Sequence, residues 1–115
     1  DDEDAARQPV RENLALYIGG MGARDKNFYN DYAKRLGHEG AAVEIQDHFL
    51  AGRRVEAQAA VPNELIDQVS LSGPAGKITE RLQDWKAAAK AKKVNSLLAR
   101  ASSSAELRVL AKAVL

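Results

Sequence analysis

YIGGMGARDKNFYNDYAKRLG, residues Tyr17 to Gly37, sets the central problem of this 115-residue chain. Gly19, Gly20 and Gly22 crowd together there, with helix-forming sequence on both sides. A glycine inside a helix costs roughly 0.5–1 kcal/mol relative to alanine. Glycines so closely spaced predict either a break that the fold requires or a place where the backbone must approach something closely. An aromatic cluster surrounds them: Tyr17 and Met21, then Phe28, Tyr29 and Tyr32. Packing is the economical reading of those five side chains, and it leaves the glycines unexplained.

Upstream, Pro9 suits the first turn of a helix, where its missing N–H costs nothing. Val10, Leu14, Tyr17, Ile18 and Met21 then share one face at helical spacing. Downstream, Asp25 is placed to cap a second helix with the stripe Phe28, Tyr29, Tyr32 and Leu36, stopped by Gly37. A third helix turns Ala42, Ile45, Phe49 and Leu50 inward and stops at Gly52. A short helix follows from Arg53 to Ala60, and Pro62 separates it from a turn carrying Leu65, Ile66 and Val69.

Leu71-Ser72-Gly73-Pro74 is the clearest punctuation in the chain, ahead of a helix bearing Ile78, Leu82 and Trp85. VNSLLA, Val94 to Ala99, is the one convincing strand candidate. Ser103 and Glu106 have capping-box spacing before a last helix striped by Leu107, Leu110 and Val114. The expected class is mainly α, about six helices with at most one short strand.

Composition narrows the function. Aromatic residues are 5% of the chain and alanine supplies much of its apolar content, which favours helix and buries little area per residue. A net charge of +1 argues for neither nucleic acid nor a membrane surface as partner. The lack of cysteine excludes disulfides, thiolate metal sites and a cysteine nucleophile. No apolar run approaches the ~18 residues of a membrane span and no signal-peptide pattern opens the chain, so a soluble, cytoplasmic protein is expected. Residues 1–8 are acidic at their start, lack an initiator methionine and read as an exposed linker, as in a piece of a longer protein.

Candidate chemistry is sparse. His38 and His48 have Glu39, Glu44 and Asp47 nearby, but without HExxH spacing these are solvated helix faces rather than a metal site. Ser102, Ser103 and Ser104 are explained by the cap with Glu106. Gly73 marks a connection rather than an anion site, and the basic run from Lys86 to Lys93 reads as a solvated face.

Leu16 to Gly37, LYIGGMGARDKNFYNDYAKRLG, resembles a segment of the luciferase-like oxidoreductases, in particular the group that uses the deazaflavin coenzyme F-420. That group is similar to methylenetetrahydromethanopterin reductase. The likeness continues collinearly through Asn27-Phe28-Tyr29, Leu50-Ala51-Gly52-Arg53, Ala60-Val61-Pro62 and Leu71-Ser72-Gly73-Pro74 to about Trp85. Such proteins look like (β/α)8 barrels, which need roughly 250 residues, so the resemblance implies the C-terminal part of one. Residues 9–70 would then be a helical insertion and 71–115 the last helix–strand–helix unit, with Val94–Ala99 as the eighth strand. The glycine break would let the insertion fold back over the barrel mouth.

One departure is plain: the family usually has a glycine-containing turn before its last strand, whereas KAAAKAKKVNSLLAR would let the preceding helix run on. An isolated eighth strand would also lack neighbours to pair with. The activity implied for the parent is hydride transfer between reduced coenzyme F-420 and a small organic substrate. A flavin-dependent monooxygenase using FMN, or a non-catalytic self-associating helical module, are the alternatives. The family's cofactor contacts lie mainly in strands outside this chain, so no cofactor is expected on it alone and no catalytic residue is transferred. Tyr17, Met21, Asn27 and Tyr29 are the candidates for lining a substrate pocket or its lid. A homo-oligomer, formed through the helix faces from about Ile78 onward, is expected, with no nucleic-acid or membrane partner.

Overall fold

The first helix takes in Gly19 and ends on Gly20. In the computed structural model, which describes residues 2–115, α1 spans Glu3–Gly20. Neither Gly19 nor Gly20 has a left-handed backbone; the glycines that do are Gly37, Gly52 and Gly73. A Cβ on Gly19 would sit 2.5 Å from Phe49 Cβ, and one on Gly20 would overlap the same ring. Phe49 belongs to α3 (Glu39–Leu50), so the two glycines let the end of α1 lie directly on α3. Both readings of the glycines hold: α1 ends at Gly20, and Gly19 and Gly20 are where its backbone closely approaches Phe49. The reversal comes next, where Lys26 N–H donates to Ala23 O at 2.9 Å and a Cβ on Gly22 would meet Lys26 O.

α1 also starts earlier than expected. It begins at Glu3, so residues 3–8 are helical rather than linker, and Pro9 lies inside the helix. An internal proline costs about 3 kcal/mol and removes one hydrogen bond. Tertiary contacts hold the preceding turn in place. Arg7 grips Asp67 with two hydrogen bonds, Nε to Oδ1 at 3.0 Å and Nη2 to Oδ2 at 2.9 Å, and reaches Glu3 one turn away. Asp67 sits on α5 (Asn63–Val69). Its hydrogen bonds, with the neighbouring carboxylates, raise the Arg7 pKa.

α2 (Phe28–Arg35) inverts the sequence expectation. The cap is Asn27, not Asp25: Asn27 Oδ1 accepts from Asn30 N–H at 3.0 Å. The buried face carries Asn30 and Ala33, while Phe28, Tyr29 and Tyr32 are exposed. The reason is a polar knot. Asn27 Nδ2 donates to Tyr17 O at 3.1 Å and Ile18 O at 2.9 Å, and Asn30 Nδ2 donates to Ile18 O at 3.2 Å and Ala42 O at 2.8 Å. Tyr17 and Ile18 are in the last turn of α1, where carbonyls lack intrahelical partners. Two asparagine amides supply the missing donors, and that fixes which face of α2 points inward. Buried Asn30 Oδ1 has no hydrogen-bond partner among the described residues, and nothing in the structure explains it.

With α4 (Arg54–Ala59) and α5, these helices form the compact unit Glu3–Ser70. Its core joins Ala15 and Ile18 of α1, Ala33, Ala42 and Ile45, then Ala57, Val61, Leu65 and Ile66. α3 is central to it, touching α1, α2 and α4. Leu50, expected inward, is exposed.

The unit formed by Leu71–Leu115 contains α6 (Ala75–Lys90) and α7 (Ser104–Val114), which pack on each other. α6 does not run on. Lys92 takes φ 57°, Lys92 N–H donates to Ala89 O and Lys93 N–H to Ala88 O, each at 3.0 Å. A lysine thus does the work of the C-terminal glycine that the family resemblance called for, at roughly 1–2 kcal/mol of left-handed strain. Val94–Ala99, the expected strand, is neither strand nor helix. A strand's N–H and C=O groups need a neighbouring strand, and the described residues contain none. α7 opens as read: Ser103 Oγ accepts from Glu106 N–H at 3.2 Å, and the Glu106 carboxylate accepts from Ser102 N–H and Oγ. Those Ser102 hydrogen bonds, the backbone one foremost, hold the Glu106 carboxyl below its ordinary value. Seven helices and no strand among the described residues give the mainly helical class expected.

Candidate functional site

Because Asn30 and Ala33 claim the inward face of α2, its rings fall to the other side. They border a groove of about 420 Å³ between α1, α2 and α5. Five pairs at i,i+4 spacing line it: Asn13 and Tyr17, Leu14 and Ile18, Phe28 and Tyr32, Tyr29 and Ala33, Leu65 and Val69. The Tyr17 and Tyr29 rings meet edge to face with centroids 4.8 Å apart, and Phe28 meets Tyr29 likewise at 5.6 Å. Such pairs hold rings in fixed orientations and contribute roughly 0.5–1.5 kcal/mol beyond area burial. No charged residue lines the groove, and its polar groups are the Asn13 amide and three phenol hydroxyls.

A second groove of about 570 Å³ is polar, with Asp4, Gln8, Arg11, Gln58 and Asn63 along it. Its groups are engaged with one another. Arg11 donates to Gln8 Oε1 at 2.8 Å and Asn63 Oδ1 at 2.7 Å, with Asp4 Oδ1 at 3.9 Å.

Of the four pocket candidates, the structure brings Tyr17 and Tyr29 together in the apolar groove. Met21 is exposed and outside its lining. Asn27 is buried and committed to capping α2 and closing α1, so its role is structural. Asn13, Phe28, Tyr32, Leu65 and Val69 line the groove beside them, although the sequence does not mark them as pocket residues. Their i,i+4 spacings are legible in the chain, but which helices meet is not. The histidines are tethers. His38 Nε2 lies 2.7 Å from Gln68 Oε1, and His48 Nδ1 accepts from Arg53 Nε at 3.1 Å. No group of three or more His, Asp or Glu side chains among the described residues could hold a metal ion.

The luciferase-like monooxygenase family matches residues 1–91. The chain belongs to that family. It is also 34% identical over 111 residues to a Mycobacterium tuberculosis protein provisionally named a coenzyme F420-dependent oxidoreductase. That alignment covers 96% of this chain and 31% of the relative, so the chain spans about a third of that protein's length. No solved structure matches significantly. Among the described residues, no helix is long and apolar enough to cross a membrane.

Coenzyme F-420 and FMN both carry a phosphate group. The apolar groove has no cation to meet it, and the Arg11 guanidinium of the polar groove is already held by Gln8 and Asn63. Neither groove offers a free cation for the phosphate of either cofactor.

Proposed function

We propose that this chain is the substrate-side segment of a luciferase-like oxidoreductase that transfers a hydride between reduced coenzyme F-420 and an organic substrate. The single observation that supports it is the collinear likeness to the F420-named relative over nearly the whole chain. In this reading the cofactor site lies in parts of the protein outside these residues. The chain contributes the aromatic groove at Tyr17 and Tyr29 as part of the substrate pocket or its lid, and no residue here is assigned a catalytic role.

Two measurements test it. The intact enzyme, given reduced coenzyme F-420 and candidate acceptors, should oxidise the cofactor without oxygen. A requirement for FMN and oxygen would instead establish the monooxygenase alternative. The 115-residue chain alone, titrated by fluorescence, should bind neither cofactor, and micromolar affinity for either would break the assignment of the cofactor site elsewhere.

Self-association is part of the proposal. Trp85 and Leu107 keep large apolar surfaces exposed on α6 and α7, and a two-fold contact covers one patch with its copy. Sedimentation should show a homo-oligomer; a monomer persisting at tens of micromolar would refute it.

A further inference from the structure

We infer that the aromatic groove selects an uncharged ligand with a flat ring system, one that slides its ring between the α2 aromatics and the α1–α5 wall. The inference rests on the reading of this groove as a substrate pocket and names the substrate class. Its volume of about 420 Å³ lies within the ordinary range for small-molecule sites.

Charge decides the class. A carboxylate or phosphate in this groove would lose water and meet no cation among the lining residues, which is costly without a partner. A cation would find no carboxylate there either. Aromatic faces can attract cations, but that needs open faces arranged around the charge. Here Tyr17, Tyr29 and Phe28 are locked edge to face with one another, so their faces do not surround one point as a cation cage requires. The lining is largely apolar and aromatic, with the Asn13 amide and the phenol hydroxyls to orient a carbonyl or hydroxyl on the ligand. A ring-bearing neutral molecule with one such group complements every part of it. The exposed rim residue Tyr32, at 47% exposure, is the point where a charge could be added without disturbing the core.

Three probes of one shape and different charge test this on the 115-residue chain: 2-acetylnaphthalene, 2-naphthoate and 2-naphthylmethylammonium. Binding is followed by amide chemical shifts. The neutral probe should shift Tyr17, Tyr29 and Val69 and bind about tenfold tighter than either charged one. Tyr29→Ala should weaken it by about fivefold while circular dichroism stays helical. Tyr32→Lys, which adds a cation at the rim, should move the preference toward 2-naphthoate. Equal binding of all three, tightest binding of the ammonium, shifts elsewhere on the chain, or indifference to both substitutions would each overturn the inference. The readout needs no cofactor and no turnover. Failure of hydride transfer in the intact enzyme therefore leaves this result standing, and failure here leaves the reaction class untouched.

Discussion

Glu3–Ser70 and Leu71–Leu115 are built to different standards. The first buries Ile45, Leu65 and Ile66 completely and closes its polar ends with the Asn27–Asn30 knot. The second buries only Leu82 and Ala113 among its apolar residues, leaves Leu97, Leu98 and Leu107 exposed, and ends α6 on a strained lysine. Helical periodicity is present in both. A stripe stabilises a helix only where another element covers it, and the first region has five helices sharing one core, whereas the second has two.

The largest effect that can break this comparison comes from truncating the two cores. Ile45→Ala should cost about 3–4 kcal/mol, because Ile45 is fully buried in the shared five-helix core, while Leu82→Ala should cost about 2 kcal/mol. Urea unfolding followed through amide signals of each region checks it; equal costs would mean the second region is as well packed as the first. Asn27→Ala should come next, at about 2–3 kcal/mol, since it removes a cap and strands the Tyr17 and Ile18 carbonyls. Were Asn27 a pocket residue instead, the substitution would weaken probe binding and leave the melting temperature alone.

Lys92→Gly runs the other way. Releasing the left-handed strain should stabilise the C-terminal region by about 1 kcal/mol, seen as slower amide exchange at the end of α6. No change there would mean that the strain is absent in solution. The smallest effect is acid fraying of α7. Glu106 has its carboxyl held below the ordinary value of 4.5, so its contribution is complete above that pH and is lost as pH falls through the folded value. A carbon-detected titration should place Glu106 below 4.5, and exchange at Leu107 should quicken only as that group protonates. A Glu106 titration at or above 4.5 would remove the Ser102 hydrogen bonds from the account.

Much of the local structure is legible in the chain. Gly37 and Gly52 end helices because they take φ of 95° and 80°, and the Ser103–Glu106 spacing delivers its cap. Pro9 misleads, because the turn before it is held by Arg7 on Asp67, a partner sixty residues away. The strand reading of Val94–Ala99 fails for a related reason, since a strand is made by its neighbours. The groove is half legible: its i,i+4 pairs can be counted, but the aromatics look like core until Asn30 is seen to occupy that place.

The sequence by itself determined the helical class, the family and the positions of most helix ends, because propensity, caps and positive-φ glycines act over a few residues. Only the tertiary structure decided what Gly19 and Gly20 are for and which face of α2 is buried. Both follow from atoms brought together by folding: a Phe49 ring with no room for a Cβ beside it, and two asparagine amides that satisfy the open carbonyls of α1.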